Sequence, residues 1–133
     1  MAVATLKAIG IDHVVLHVRN VERSKRFYAG VLGLPVAWEG PSALFMWCGE
    51  QQLILFERPD LDQSGVELNH VALRLVAGDL EAVKAALAAH GLQVYGRPGA
   101  DDELYFNDPD GHKLQLLLPD EVVVYPDGSA SKP

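Results

Sequence analysis

The chain has one cysteine, little positive charge and no long apolar run, and each shortage excludes something. Cys48 alone cannot close an intramolecular disulfide, so a core must hold the fold and a reducing, cytoplasmic setting is expected. No stretch approaches the ~20 apolar residues that span a bilayer. Met1 to Ala8 has no signal-peptide core, so a soluble protein without a membrane partner is expected. Eleven Lys and Arg stand against 18 Asp and Glu, a net charge of −7. Without a clustered basic patch, a nucleic-acid partner is not expected. What is present is ordinary for a globular chain of 133 residues: 49% hydrophobic and 22% charged, enough for a real core.

The chain also repeats itself. Asp12-His13-Val14-Val15-Leu16-His17-Val18 matches Asn69-His70-Val71-Ala72-Leu73-Arg74-Leu75 at an offset of 57. Gly33-Leu34-Pro35-Val36 matches Gly91-Leu92-Gln93-Val94 at an offset of 58, and one residue inserted in Ala77-Gly78-Asp79 would reconcile the two. Two copies are too few for a solenoid. The expected fold class is α+β: two tandem βαβββ modules forming a cupped mixed sheet, with helices on the outside. One domain over 1–118 would hold module one (9–57), a breaker-rich linker (58–66) and module two (67–118). A partly disordered tail, 119–133, would follow.

Within module one, the β-branched run 9–18 reads as a buried strand. Asn20 caps a helix whose inner stripe is Val21, Lys25, Tyr28 and Leu32, with Phe27 and Val31 beside it, and Gly33 ends it. Strands follow near 35–39, 43–48 and 52–57. Module two repeats the order, with a strand at 67–76 and Asp79 capping a helix 80–90 that turns Leu80, Val83 and Leu87 inward. Gly91 stops the helix, and strands lie near 92–97, 103–107 and 112–118. Asp108-Pro109-Asp110-Gly111 has the chemistry of a type I hairpin turn. Val122–Tyr125 could add an edge strand or touch a partner chain.

Strand alternation sorts side chains by face. His13, Val15 and His17 share one face, and His70, Ala72 and Arg74 the equivalent one. Lys113, Gln115 and Leu117 join them from the last strand, with Leu53, Leu55 and Glu57 expected as their counterparts. Val14, Leu16, Val71, Leu73, Leu114 and Leu116 form an apolar set toward the helices. His13, His70 and Gln115 are then polar groups on otherwise buried strands and need partners. Imidazole is the commonest metal ligand, and two histidines at matched positions point to a metal more than one would.

The strings Ile11-Asp12-His13-Val14-Val15-Leu16, Val21-Glu22-Arg23-Ser24-Lys25-Arg26-Phe27-Tyr28, Asn69-His70-Val71-Ala72 and Leu104-Tyr105-Phe106-Asn107-Asp108-Pro109-Asp110-Gly111-His112-Lys113-Leu114-Gln115-Leu116 resemble the vicinal oxygen chelate superfamily. That group holds glyoxalase I, extradiol dioxygenases, fosfomycin-resistance enzymes and bleomycin-binding proteins. The resemblance spans about residues 9–118 and implies a divalent cation (Fe, Mn, Ni, Co or Zn) on two histidines and a glutamate. His13 and His70 match the histidines; Gln115 stands where the glutamate is expected, and an amide offers a dipole instead of a charge. The fourth ligand of four-ligand glyoxalases would fall at Leu55. Glu57 could reach a metal only if the strand end curled inward, and a surface salt bridge is its expected fate. Val15 replaces the threonine that fosfomycin enzymes use on the phosphonate.

Tyr105 matches a cup-lining tyrosine of that group, which makes it the catalytic candidate, although cross-strand packing is the alternative. His17, Arg74 and Trp47 are the substrate-binding candidates; His17 and Arg74 could equally be a solvated pair. Trp38, Phe45 and Phe56 could serve a wall or a core. His112, in the turn, and His90, at a helix end, are expected to face solvent, and Cys48 to be a buried apolar residue. Two functions compete: a metalloenzyme of the glyoxalase or extradiol dioxygenase type acting on a small oxygen-chelating substrate, and a metal-free protein sequestering a small ligand. The resemblance further implies a homodimer, with each cup built within one chain or across two.

Overall fold

The computed structural model describes residues 6–62, 68–97, 100–122 and 127–128. The chain divides into two compact units, Met1–Asp62 and Gln63–Pro133, parting inside the segment expected to link the modules. Each unit builds the same sheet. In the first, β1 (His13–Val18), β2 (Val36–Gly40), β3 (Ala43–Cys48) and β4 (Gln51–Glu57) stand in the order β1-β4-β3-β2. In the second, β5 (Val71–Arg74), β6 (Tyr95–Arg97), β7 (Ala100–Asn107) and β8 (Lys113–Leu117) stand as β5-β8-β7-β6. The first and last strands of each unit run parallel and the other pairs antiparallel. A helix crosses from the first strand to the second in each, giving βαβββ twice. The expected fold class is met in these elements.

β1 begins at His13, not near residue 9, and Ile9 and Ile11 are exposed. β5 is likewise shorter than the expected 67–76. Apolar composition alone did not extend either strand, because β4 and β8 offer pairing partners only from Gln52 and Leu114 onward. The apolar side of each sheet is the core: Leu16, Val18, Leu44, Met46, Leu53 and Leu55 in the first, Leu104, Phe106, Leu114 and Leu116 in the second.

The helices differ in a way the sequence did not show. α1 (Val21–Lys25) is capped by Asn20, whose side chain accepts from the Arg23 N–H, and continues as a π-helical turn over Arg26–Val31. The Leu32 N–H reaches back five residues to the Phe27 carbonyl at 3.1 Å. The wider turn brings Phe27 and Tyr28 inward together, so the buried stripe is Val21, Ser24, Phe27 and Tyr28. Lys25, expected on that stripe, instead pairs with Glu39 at 2.8 Å, and that bond raises the pKa of its ammonium. α2 (Leu80–Ala89) is regular, capped by Asp79 through the Ala82 N–H, and buries Val83 and Leu87. Both helices end at a glycine in the left-handed region, Gly33 (φ 73°) and Gly91 (φ 75°), as a Schellman-type stop requires.

These ends revise the accounting of the repeat. Asn20 and Asp79 lie 59 apart, His13 and His70 57 apart, and Gly33 and Gly91 58 apart. Two extra residues therefore sit in the second copy's strand-to-helix loop, and one extra residue sits in the first copy's helix. The π turn is where that residue is accommodated.

Of the tail, residues 123–126 and 129–133 lie outside the described residues, so the strand or partner contact expected at Val122–Tyr125 and the disorder expected beyond it are not addressed. Residues 118–121 are tied down: Arg74 Nη1 donates to the carbonyls of Leu118 (2.9 Å), Pro119 (3.4 Å) and Glu121 (2.8 Å).

Candidate functional site

Register places the candidate residues on one face of each sheet. In the first unit β1 pairs with β4 as His13 with Gln52, Val15 with Ile54 and His17 with Phe56. β3 continues these rows, Trp47 beside Gln52, Phe45 beside Ile54 and Ala43 beside Phe56, and Trp38 of β2 lies next to Phe45. His13 and Trp47 thus share a face two strands apart, and His17 is exposed on that face. The face is aromatic: Trp38 meets Phe45 edge-on at 5.4 Å, Phe45 lies 6.3 Å from Phe56, and Trp38 and Trp47 are 56% and 44% exposed.

This register corrects the expected parity of β4. Gln52, Ile54 and Phe56 join His13; Leu53, Leu55 and Glu57 lie on the other side, with Leu53 and Leu55 buried in the core. The position matching Gln115 across the repeat is therefore Ile54, not Leu55, and neither side chain can bind a metal. Glu57 lies on the side away from His13, and among the described residues it makes no ion pair. Its Oε2 accepts the Val21 N–H at 2.8 Å, satisfying the first turn of α1 and favouring the helix dipole.

The equivalent row of the second unit is Ala72, Gln115, Tyr105 and Tyr95. Its chemistry is polar. Tyr105, only 6% exposed, meets the His70 ring edge-on at 5.6 Å and lies nearly parallel to Tyr95 at 6.1 Å. The Lys113 ammonium sits over the Tyr105 ring, 4.5 Å from its centroid. The Tyr95 hydroxyl donates to Asn107 Oδ1 at 2.7 Å. His70, Tyr105 and Gln115 are thus assembled with Lys113, Tyr95 and Asn107, three residues that sequence reasoning did not assign to the site. Arg74 is on the same face, but its Nη1 is occupied by the three carbonyls of the tail.

Both histidines are held in the same way. His13 Nδ1 lies 2.6 Å from Asp12 Oδ1, and His70 Nδ1 lies 2.7 Å from Asn69 Oδ1. Both oxygens are acceptors, so Nδ1 carries the proton and Nε2 of the neutral ring keeps its lone pair. Metal-binding histidines are oriented in this manner. Among the described residues, no three His, Cys, Asp or Glu side chains come together as a metal cluster.

Three further side chains depart from, or agree with, expectation. His112 is buried, not exposed: its Nδ1 lies 2.6 Å from Asp108 Oδ2, while Asp108 Oδ1 accepts the N–H groups of His112 (2.8 Å) and Asp110 (2.9 Å). Asp108 and His112 side chains are 0% and 2% exposed, and together they organise the hairpin turn that Gly111 (φ 94°) completes. A polar turn looked solvated in sequence because such a network has no periodic signature. His90 is exposed as expected, and Cys48 is half-buried, with burial pushing its thiol pKa up and away from nucleophile chemistry.

Comparison with known proteins places these features in a family. A metallothiol transferase, FosB, of Staphylococcus epidermidis is 28% identical over 113 residues, covering 80% of this chain and 81% of its own. A catechol-2,3-dioxygenase of Bacillus subtilis is 29% identical over 114 residues, 80% of this chain and 40% of its own. Among solved structures, an integron cassette protein from the mobile metagenome of Halifax Harbour sewage outfall matches with a TM-score of 0.64 and 28% identity, over 80% of this chain and 96% of its own. Residues 10–116 match the family profile itself, and the chain belongs to the Glyoxalase/Bleomycin resistance protein/Dioxygenase superfamily.

Proposed function

We propose that this chain is a metal-dependent enzyme in which His13, His70 and Gln115 hold a divalent cation, whether Fe, Mn, Ni, Co or Zn, for a small oxygen-chelating substrate. The observation that carries the reading is the paired fixation of the two histidines, which leaves a free Nε2 at the same position of each repeat. The donor set of two imidazoles and an amide oxygen suits a borderline cation that keeps open positions. When bound, the cation supplies Lewis acidity to a substrate oxygen.

The protein's own residues would bind and position around that centre. Trp47, with Phe45, Trp38 and Phe56, offers apolar area to the carbon part of a substrate. On the other face Tyr105 offers its ring beside His70, with its hydroxyl as the catalytic proton donor, and Lys113 favours negative charge nearby. His17 is the remaining candidate contact. A glyoxalase-like isomerase or lyase and an extradiol-type oxygenase both fit this arrangement. A fosfomycin-type transfer fits less well, since Val15 turns methyl groups where a hydroxyl would be needed. Elemental analysis of untagged, chelator-free protein should find near-stoichiometric metal, and His13→Ala and His70→Ala should each reduce it to background. Full metal retention by His13→Ala would overturn the assignment.

The neutral Gln115 and the exposed aromatic face favour one second reading: a metal-free module that sequesters a small aromatic ligand. Metal-free protein that binds such a ligand with unchanged affinity after His13→Ala would establish it instead. In either reading a homodimer is the proposed assembly, checked by sedimentation, and a soluble cytoplasmic setting is proposed. No helix among the described residues is long and apolar enough to cross a membrane.

A further inference from the structure

The two histidine clamps are alike in geometry and unlike in charge. Asp12 and Asn69 occupy the same position of the repeat, each bonding the Nδ1 of the histidine that follows it, at 2.6 and 2.7 Å. Asn69 orients its ring with a neutral amide; Asp12 orients its ring with a carboxylate. The proposed inner set of His13, His70 and Gln115 carries no formal charge, so a divalent cation there keeps its full +2. Within the second unit, Lys113 stands over the Tyr105 ring on the strand that pairs with β5. Among the described residues, Asp12 is the one carboxylate hydrogen-bonded to any member of that set.

We propose that Asp12 supplies to the cation, through His13, the negative charge that Gln115 does not supply directly. A carboxylate on Nδ1–H pulls electron density toward Nε2 and makes His13 the stronger donor of the two histidines. Asp12 is a positioning and charge-supplying residue, not a ligand. The proposal rests on the reading of His13, His70 and Gln115 as metal ligands. The Asp12 and His13 side chains are 91% and 48% exposed, so the effect is partly screened and sensitive to salt.

The test is Co²⁺ binding to the whole chain, followed by visible absorption and chelator competition, with no activity measurement needed. Asp12→Asn keeps an acceptor and removes the charge; it should weaken binding about 10-fold at low ionic strength. Asn69→Asp should tighten binding by a similar factor, and the double swap should return it to near the starting value. In a Gln115→Glu background the Asp12→Asn loss should shrink, because the inner set then carries its own charge. Added KCl should narrow the gap between wild type and Asp12→Asn. Equal affinity for wild type and Asp12→Asn would overturn the proposal, with weak binding by Asp12→Ala alone assigning Asp12 to orientation only. Wild-type protein that binds no Co²⁺ would instead overturn the metal reading on which the proposal stands. Thermal melts without metal should be unchanged in Asp12→Asn, because the residue is exposed and buries nothing.

Discussion

Across four strands at matching register, the first unit sets Val15, Ile54, Phe45 and Trp38, and the second sets Ala72, Gln115, Tyr105 and Tyr95. One row is apolar throughout and the other ends in polar groups, yet the backbones pair in the same order. On the reverse side, the second unit's Phe106 corresponds to Met46, and both are fully buried. Burial constrains one face of each sheet to be apolar, while the other face was free to specialise. The first became an aromatic surface with a histidine at its margin; the second became a hydrogen-bonded one with a histidine, an amide and an ammonium.

If the reverse faces are equivalent, emptying them should cost alike. Phe106→Ala should destabilise by about 3–5 kcal/mol and Met46→Ala by about 2–5 kcal/mol, read by denaturant melts. A loss under about 1 kcal/mol in either variant would show that one unit does not rely on its core as the other does. The hairpin turns should separate the units next. His112→Ala leaves the buried Asp108 carboxylate short of a partner and should cost about 2–3 kcal/mol. Glu50→Ala, in the short Gly49 turn (φ 62°) of the first unit, is exposed and should stay within about 0.5 kcal/mol. Equal losses would mean the buried network adds nothing specific. The helix caps should restore the likeness: Asn20→Ala and Asp79→Ala each remove one cap bond and should each cost about 1 kcal/mol in thermal melts.

Much of this was readable from residues alone, for identifiable reasons. The repeat, the helix caps and both stop glycines are local signals, and they sit where the sequence put them. The parity of β1, β5 and β8 was legible because polar and apolar residues alternate there. Leu53-Ile54-Leu55-Phe56 is apolar at every position, so only pairing with His13 and Val15 could reveal that Ile54 faces the histidine side. Tyr95 and Lys113 come to Tyr105 from the two neighbouring strands, and which strands are neighbours is something single-sequence periodicity does not carry. The Asp12 and Asn69 clamps were quoted within the motifs, but their bonds to the next residue's ring required coordinates.

The π turn of α1 has a consequence for how the duplicate halves diverged. A residue gained within a regular helix would rotate everything after it and unseat Phe27, Tyr28 and the chain leading to β2. Lodged in one widened turn, it leaves the cap at Asn20 and the stop at Gly33 in place, so the insertion is absorbed where it occurred. Shortening 26–31 by one residue would bring the helix to the length of its counterpart, Leu80 to His90. The widened turn converts a difference in length into a difference in pitch.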